Sequence, residues 1–315
     1  MKMTHKFAVF YMFSEATSSM ALQRLRRLRA MNPDTMFIPV VGMRQFIYFP
    51  GIVDEVMLGP TRQLRLVGPV SHFINSTFQS VPGVFRLAKE INFRIGSLIG
   101  RSKLTELSNS ARHERIQIYA DFTPMVYFNG DAAIMNWYNT AGKFLTFDYL
   151  IFYEFDIYTT KSIAQIYEPY ANSYDACFKD YEKATPSWYF YSYPPGCSSA
   201  TKEWLRRRKL KTDLFRSLFG GCLISHSILE KLSDLNIDFS GEPYSVPEMR
   251  FPTVITNLGF KCGKLDFPTY RFRPIWKEEE IYANEEAGIF HPVKSLTSLE
   301  KNYASTQFLQ QLMRN

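Results

Sequence analysis

The stretch "FDYLIFYEFDIYTT", Phe147 to Thr160, limits the possible folds more than any other part of the chain. Its centre, Tyr149, Leu150, Ile151 and Phe152, shows no alternation of apolar and polar residues, which is the pattern of a strand buried on both faces. Such a strand belongs in the middle of a parallel or mixed sheet with helices packed on either side. Two carboxylates then follow at once. On an extended chain, side chains two apart point the same way, so Glu154 and Asp156 are expected to converge while Phe155 faces the other way. Like charges held on one face call for a cation. The alternative is a structural pair that caps Thr159 or Thr160 or meets an arginine.

The elements around this strand read as an α/β domain. Lys6–Phe13 predicts a first strand, Met20–Ala30 a helix with Leu22, Leu25 and Leu28 on one side, and "DTMFIPVVG" a second strand. This β-α-β opening implies a parallel sheet. Residues 60–115, punctuated by Gly and Pro and with a helix over Val84–Ile99, read as an elaboration of the core. "RIQIYADF" is a further strand. The helix of "NGDAAIMNWYNTAGKFL" has Asn129 and Asp131 as candidate caps and ends near Gly142. Residues 301–315 read as a tail, so one domain is expected over 1–300. Glu154 and Asp156 then lie at the carboxyl end of a central strand, where open α/β sheets gather ligands.

Composition narrows the partners. A formal charge of +7 with pI about 9.1 favours an anionic ligand or surface. The four cysteines, Cys177, Cys197, Cys222 and Cys262, form no Cys-x-x-Cys pair, which argues for free thiols in a reducing, cytoplasmic setting. The basic N-terminus "MKMTHKFAVFYMF" lacks a small-residue cleavage site and reads as the first strand rather than a signal peptide. No apolar run reaches the roughly 18 to 20 residues that a membrane-spanning helix needs, so membrane contact is expected to be peripheral. "EWLRRRKLK" and the arginines of Met20–Ala30 read first as solvated faces. Without zinc-finger spacing, an aromatic RNA-recognition signature or a continuous basic stripe, no nucleic-acid partner is expected. A P-loop, a dinucleotide fingerprint, a kinase set and a Gly-x-Ser-x-Gly elbow are likewise missing.

Four segments in fixed order carry a resemblance: the apolar strand ending in Glu154-Phe155-Asp156, "FGGCLISHSILEKL", "EMRFPTVITNLGFKCGKLD" and "GIFHPVK". Together they resemble nucleotide-sugar-dependent glycosyltransferases of the GT-A fold, over roughly Lys6–Gly42 and Arg115–Lys294. The resemblance implies a single GT-A-like domain with a Rossmann-like mixed sheet. It further implies Mn²⁺ or Mg²⁺ held against the donor diphosphate by the acidic triplet, with His291 as a further ligand. Glu154 replaces the usual first Asp, which leaves it to hold the metal, a bound water or the ribose, while Asp156 is the firmer ligand. The donor would be a nucleotide-diphosphate sugar and the acceptor a hydroxyl on a glycan, a lipid-linked saccharide or a small molecule. A nucleotide-sugar hydrolase and a non-catalytic binding module on the same fold remain as alternatives.

The other candidates rest partly on their own chemistry. Gly220 and Gly221 stand where a turn before the "SHSILEKLSDL" helix is expected, with Ser225 as its cap, and the resemblance makes them pocket wall. His226 reads as a helix-start residue. Glu248 and Arg250 fall on a predicted loop feeding the helix through Val254–Leu258. There Glu248 could deprotonate an acceptor hydroxyl, with Arg250 pairing with it or binding phosphate; Asp238 and Glu242 compete for the base's role. Lys294 is placed to neutralise diphosphate oxygens. The aromatic run "PSWYFYSYPPG" suits either a sugar-stacking loop or core packing.

Overall fold

The computed structural model describes residues 5–14, 17–42, 56–58, 118–121, 130–192, 196–237, 239, 246–271 and 274–294. The elaboration at 60–115, the Val84–Ile99 helix, the 301–315 tail, Asn129, Asp238 and Glu242 lie outside the described residues.

Strands β1 (Phe7–Ser14), β2 (Met36–Gly42), β3 (Val56–Leu58), β4 (Ile118–Asp121), β5 (Tyr149–Glu154), β7 (Ala176–Lys183), β8 (Phe215–Ser225) and β9 (Cys262–Leu265) form one eight-stranded sheet. Its order is β3-β4-β2-β1-β5-β8-β7-β9. β1 pairs in parallel with both β2 and β5, as the β-α-β reading required. β8 alone runs against its neighbours β5 and β7, so the sheet is mixed. A second, two-stranded sheet pairs β6 (Tyr158–Thr159) with β10 (Ile289–Phe290).

The apolar run of β5 is explained by its place. Leu150, Ile151, Phe152 and Tyr153 are fully buried, with alternate residues feeding two cores on opposite faces. Leu150 and Phe152 join Phe10, Trp137, Trp204 and Phe251 on the face covered by helices 130–140, 197–207, 226–234 and 247–257. Ile151 and Tyr153 join Val9, Tyr11, Leu25 and Tyr167 under helices 18–31 and 163–171. With helices on both faces, no position of β1 or β5 between their ends meets water, and binary alternation disappears.

Two local expectations are corrected. Gly220 and Gly221 do not form a turn. They lie inside the 11-residue β8, which continues to Ser225 and leads directly into the helix His226–Asp234. Ser225 holds the N-cap position but its hydroxyl meets Ser227 Oγ at 2.9 Å and makes no cap hydrogen bond. His226 does start that helix, its ring between Phe147 O and the Tyr138 hydroxyl at 3.1 and 2.8 Å. All four cysteines are free thiols, and among the described residues no helix is long and apolar enough to cross a membrane.

Candidate active site

β5 ends at Glu154, and a tight turn closed by Ile157 N–H donating to Glu154 O at 3.0 Å carries the chain into β6. Asp156 therefore sits on a turn rather than on a continued strand. The two carboxylates nonetheless converge, because the turn folds Asp156 back over the strand end. A second segment comes to meet them: β10 pairs with β6, and His291 follows directly. His291 Nε2 lies 3.8 Å from Glu154 Oε2 and 3.6 Å from Asp156 Oδ1, and one ligand atom from each residue falls within 4.8 Å of the others. The other Asp156 oxygen, Oδ2, accepts from Lys294 Nζ.

The histidine is fixed as a ligand would be. Its Nδ1 lies 3.0 Å from Arg271 O, a carbonyl that can only accept, so Nδ1 carries the proton and Nε2 keeps its lone pair toward the carboxylates. Its ring stacks on Tyr270 with centroids 4.4 Å apart. Burial lowers the pKa of His291, with Asp156 opposing, which favours the neutral imidazole that metal binding requires. Glu154 is pushed the opposite way: burial first, then the neighbouring charges of Asp156 and Glu248, raise its pKa, with Lys294 opposing. Two carboxylates and one neutral imidazole suit a divalent cation of the Mn²⁺ or Mg²⁺ type. The donor set thus fits the metal that the sequence suggested.

These groups line one cleft of about 610 Å³ together with Glu248, Gly220, Phe219 and Ile275. Gly220 is needed for it. A Cβ there would collide with Tyr270 Oη and stand 2.8 Å from Glu154 Oε2. Gly221, at φ +75°, adopts a backbone conformation that other residues resist; it backs onto the Tyr270 ring, and its carbonyl accepts from the Tyr167 hydroxyl at 2.9 Å. Glu248 stands in the first turn of helix Pro247–Asn257, not on a loop. Its Oε2 is buried with no hydrogen-bond partner among the described residues, and burial, helped by Asp131, raises its pKa to about 7. A carboxyl so tuned can hold or release a proton near neutrality.

Arg250 is placed differently from expectation. It is fully buried, turned away from the cleft, and binds Asp131 through two hydrogen bonds of 2.5 and 2.6 Å. Asp131, expected as a helix cap, lies in the first turn of helix 130–140, where its Oδ1 accepts from Ala132 N–H at 2.9 Å, and it also ties that helix to helix 247–257. Trp188, Phe190 and Tyr191 of the aromatic run are partly buried against the core, and Tyr189 is exposed.

No family model matches the chain, and no curated protein matches its sequence. Some solved structures align with it along most of its length. The galactosyltransferase LgtC, in complex with donor and acceptor sugar analogs, is 10% identical with a TM-score of 0.36, the alignment covering 98% of this chain and 95% of that one. The mannosyltransferase Ktr4p from S. cerevisiae is 8% identical at TM-score 0.34, over 82% of this chain and 66% of that one. The bifunctional WbbM is 8% identical at TM-score 0.38, over 99% of this chain and 52% of that one.

Sequence reasoning missed Tyr270, which walls the cleft, stacks on His291 and sets the space at Gly220. It lies in "FPTYRFRP", a segment with no motif spacing, so nothing short of the three-dimensional contact could reveal it. The apolar wall of Leu218, Phe219 and Ile275 was equally hidden.

Proposed function

We propose that the chain is a metal-dependent glycosyltransferase that moves a sugar from a nucleotide-diphosphate donor to a hydroxyl acceptor. The observation that carries this reading is the meeting of Glu154, Asp156 and His291, from two segments far apart in sequence, in one cleft with Lys294 beside them and Glu248, a carboxyl whose pKa burial raises, on its wall. The family resemblance of the four sequence segments supports the same reading, and the free thiols support a reducing, cytoplasmic setting. The net charge of +7 suits an anionic donor and is compatible with peripheral contact at an acidic membrane.

Asp156, His291 and Glu154 would hold the cation. Bound there, Mn²⁺ or Mg²⁺ would neutralise diphosphate oxygens and stabilise the nucleoside diphosphate as it departs. Lys294, 47% exposed at its side chain, can swing from Asp156 to a phosphate oxygen as the donor enters. Gly220 leaves room for the Tyr270 hydroxyl and the Glu154 carboxylate to meet beside the cation site. Glu248, in its ionised form, would take the proton from the acceptor hydroxyl as that oxygen bonds to the anomeric carbon and the bond from that carbon to the departing diphosphate breaks. Phe219, Leu218 and Ile275 offer apolar surface to the sugar faces and exclude water, which would otherwise compete as acceptor.

Thermal unfolding of the protein with a panel of nucleoside diphosphates, with and without Mn²⁺, tests this. Ligands that bind only the folded state raise its melting temperature. Stabilisation by one nucleotide that depends on Mn²⁺ is expected, and no Mn²⁺-dependent shift with any nucleotide would overturn the proposal.

A further inference from the structure

The basic helix Ser18–Met31 reads from sequence as an apolar stripe among solvated arginines, yet Arg24 is 3% exposed. A guanidinium is buried at a penalty unless its protons find acceptors. Arg24 Nη1 donates to two backbone carbonyls, Phe155 O and Val293 O, both at 2.8 Å. Phe155 stands between Glu154 and Asp156, and Val293 stands two residues after His291 and one before Lys294. One nitrogen therefore joins the two segments that carry the cleft's charged groups. The same junction is closed by Val293 N–H donating to Asp156 O at 2.8 Å, and the Tyr11 hydroxyl lies 3.5 Å from Phe155 O. One turn along the helix, Arg27 donates to Thr159 O at 2.7 Å and lies over the Tyr158 ring at 4.3 Å, so the helix grips the strand after the turn as well. Arg26 and Arg29 face solvent.

We propose that Arg24 is a positioning residue for the cation site: it holds the 154–156 turn and the 291–294 segment at the separation at which His291, Asp156 and Glu154 can share one ion. It touches neither ion nor substrate. The proposal rests on the metal-binding reading above, and it adds that half of the site's geometry is set from a helix outside the cleft. Arg is suited to the place because one planar group can serve two carbonyls at a fixed angle, whereas a lysine ammonium offers a single mobile centre.

The test compares Arg24→Gln and Arg24→Lys with Leu28→Ala, which removes a buried side chain from the same helix and leaves the hydrogen bonds of Arg24 in place. Mn²⁺ affinity is read by the paramagnetic signal of free Mn²⁺ in titrations of folded protein, and exchange of the Val293 amide is read in metal-free protein. Arg24→Gln is expected to weaken Mn²⁺ binding by tenfold or more and to speed Val293 exchange at least tenfold relative to amides of β1. Arg24→Lys should fall between it and the wild type, and Leu28→Ala should bind Mn²⁺ within about twofold of wild type. Should Arg24→Gln fail to fold, Arg24→Lys decides on the same two readouts. Wild-type affinity and wild-type Val293 exchange in a folded Arg24 variant would overturn the positioning role. A wild-type protein that binds no Mn²⁺ would overturn the metal reading instead, and Val293 exchange would still report whether Arg24 holds the two segments together.

Discussion

Asp131→Asn tests an ion pair that, alone among those of the described residues, has both partners shut off from water. Asp131 and Arg250 are both fully buried, and Nε and Nη2 of the guanidinium donate one hydrogen bond to each carboxylate oxygen, at 2.5 and 2.6 Å. Asparagine keeps the shape but supplies one acceptor oxygen and no charge, leaving the guanidinium uncompensated. Breaking a buried pair in this way costs about 3–5 kcal/mol. Against a total stability of about 5–15 kcal/mol, that is a large share. With a urea dependence of about 3 kcal/mol per molar, the unfolding midpoint should fall by at least about 1 M. Replacing both residues, Asp131→Leu with Arg250→Met, should recover most of the loss, since an apolar pair leaves no buried charge behind. The single substitution should also lower the pKa of Glu248, because the charge of Asp131 helps to raise it, and so extend activity to lower pH. A loss below about 1 kcal/mol, or a double variant no more stable than Asp131→Asn, would refute the assignment of this pair as a structural clamp.

Asp156→Asn should abolish Mn²⁺-dependent nucleotide stabilisation and turnover while the protein stays folded; unchanged turnover would remove Asp156 from the site. Glu248→Gln should slow transfer by about 10²–10⁴-fold with donor affinity nearly intact, the range for losing a general base. In the wild type the rate should climb as pH rises through about 7, where Glu248 loses its proton, and the glutamine variant should lack that limb. Because folding raises this carboxyl from 4.5 to about 7, the stability it lends is whole below pH 4.5 and is lost as pH rises through 7, so the metal-free protein should unfold more easily at pH 8 than at pH 5. Gly220→Ala should cost about 1–3 kcal/mol from overpacking against Tyr270 and Glu154, and should cut turnover; wild-type activity would show that the placing of Glu154 beside Tyr270 does not matter to the site.

How far the sequence could be read depended on whether a feature was local. β5 was legible because burial on both faces leaves an unmistakable composition, and the β-α-β opening because its periodicity changes within a few dozen residues. Glu154 and Asp156 were legible because charge next to such a run is costly. Arg24 was not, since an arginine that saturates distant carbonyls looks the same on paper as one in water. Arg250 failed for a similar reason: its partner Asp131 is remote in sequence, so the nearer Glu248 looked like its mate. The Gly220-Gly221 pair suggested a turn because glycines so often make one, but here the requirement is space and one positive φ within a strand.

The reversal of β8 explains why that space is required at Gly220. In an all-parallel sheet, every strand presents its carboxyl end to the cleft. β8 runs the other way, so its early residues, Leu218 to Gly220, reach the cleft, while its last residues pair with the start of β5, Tyr149 opposite Ser225 and Ile151 opposite Leu223. Past Leu223 the strand is irregular, with Gly221 at φ +75°, and Gly220 comes to lie against the Glu154 carboxylate. A side chain at this position would project into the space where the acidic group meets Tyr270, as the clash of an added Cβ with both residues shows. The sheet order, the strand's direction and its local irregularity thus converge on a single residue type. Gly220 is fixed by topology as much as by any ligand, and a substitution there perturbs the cation site through Glu154 before any sugar arrives.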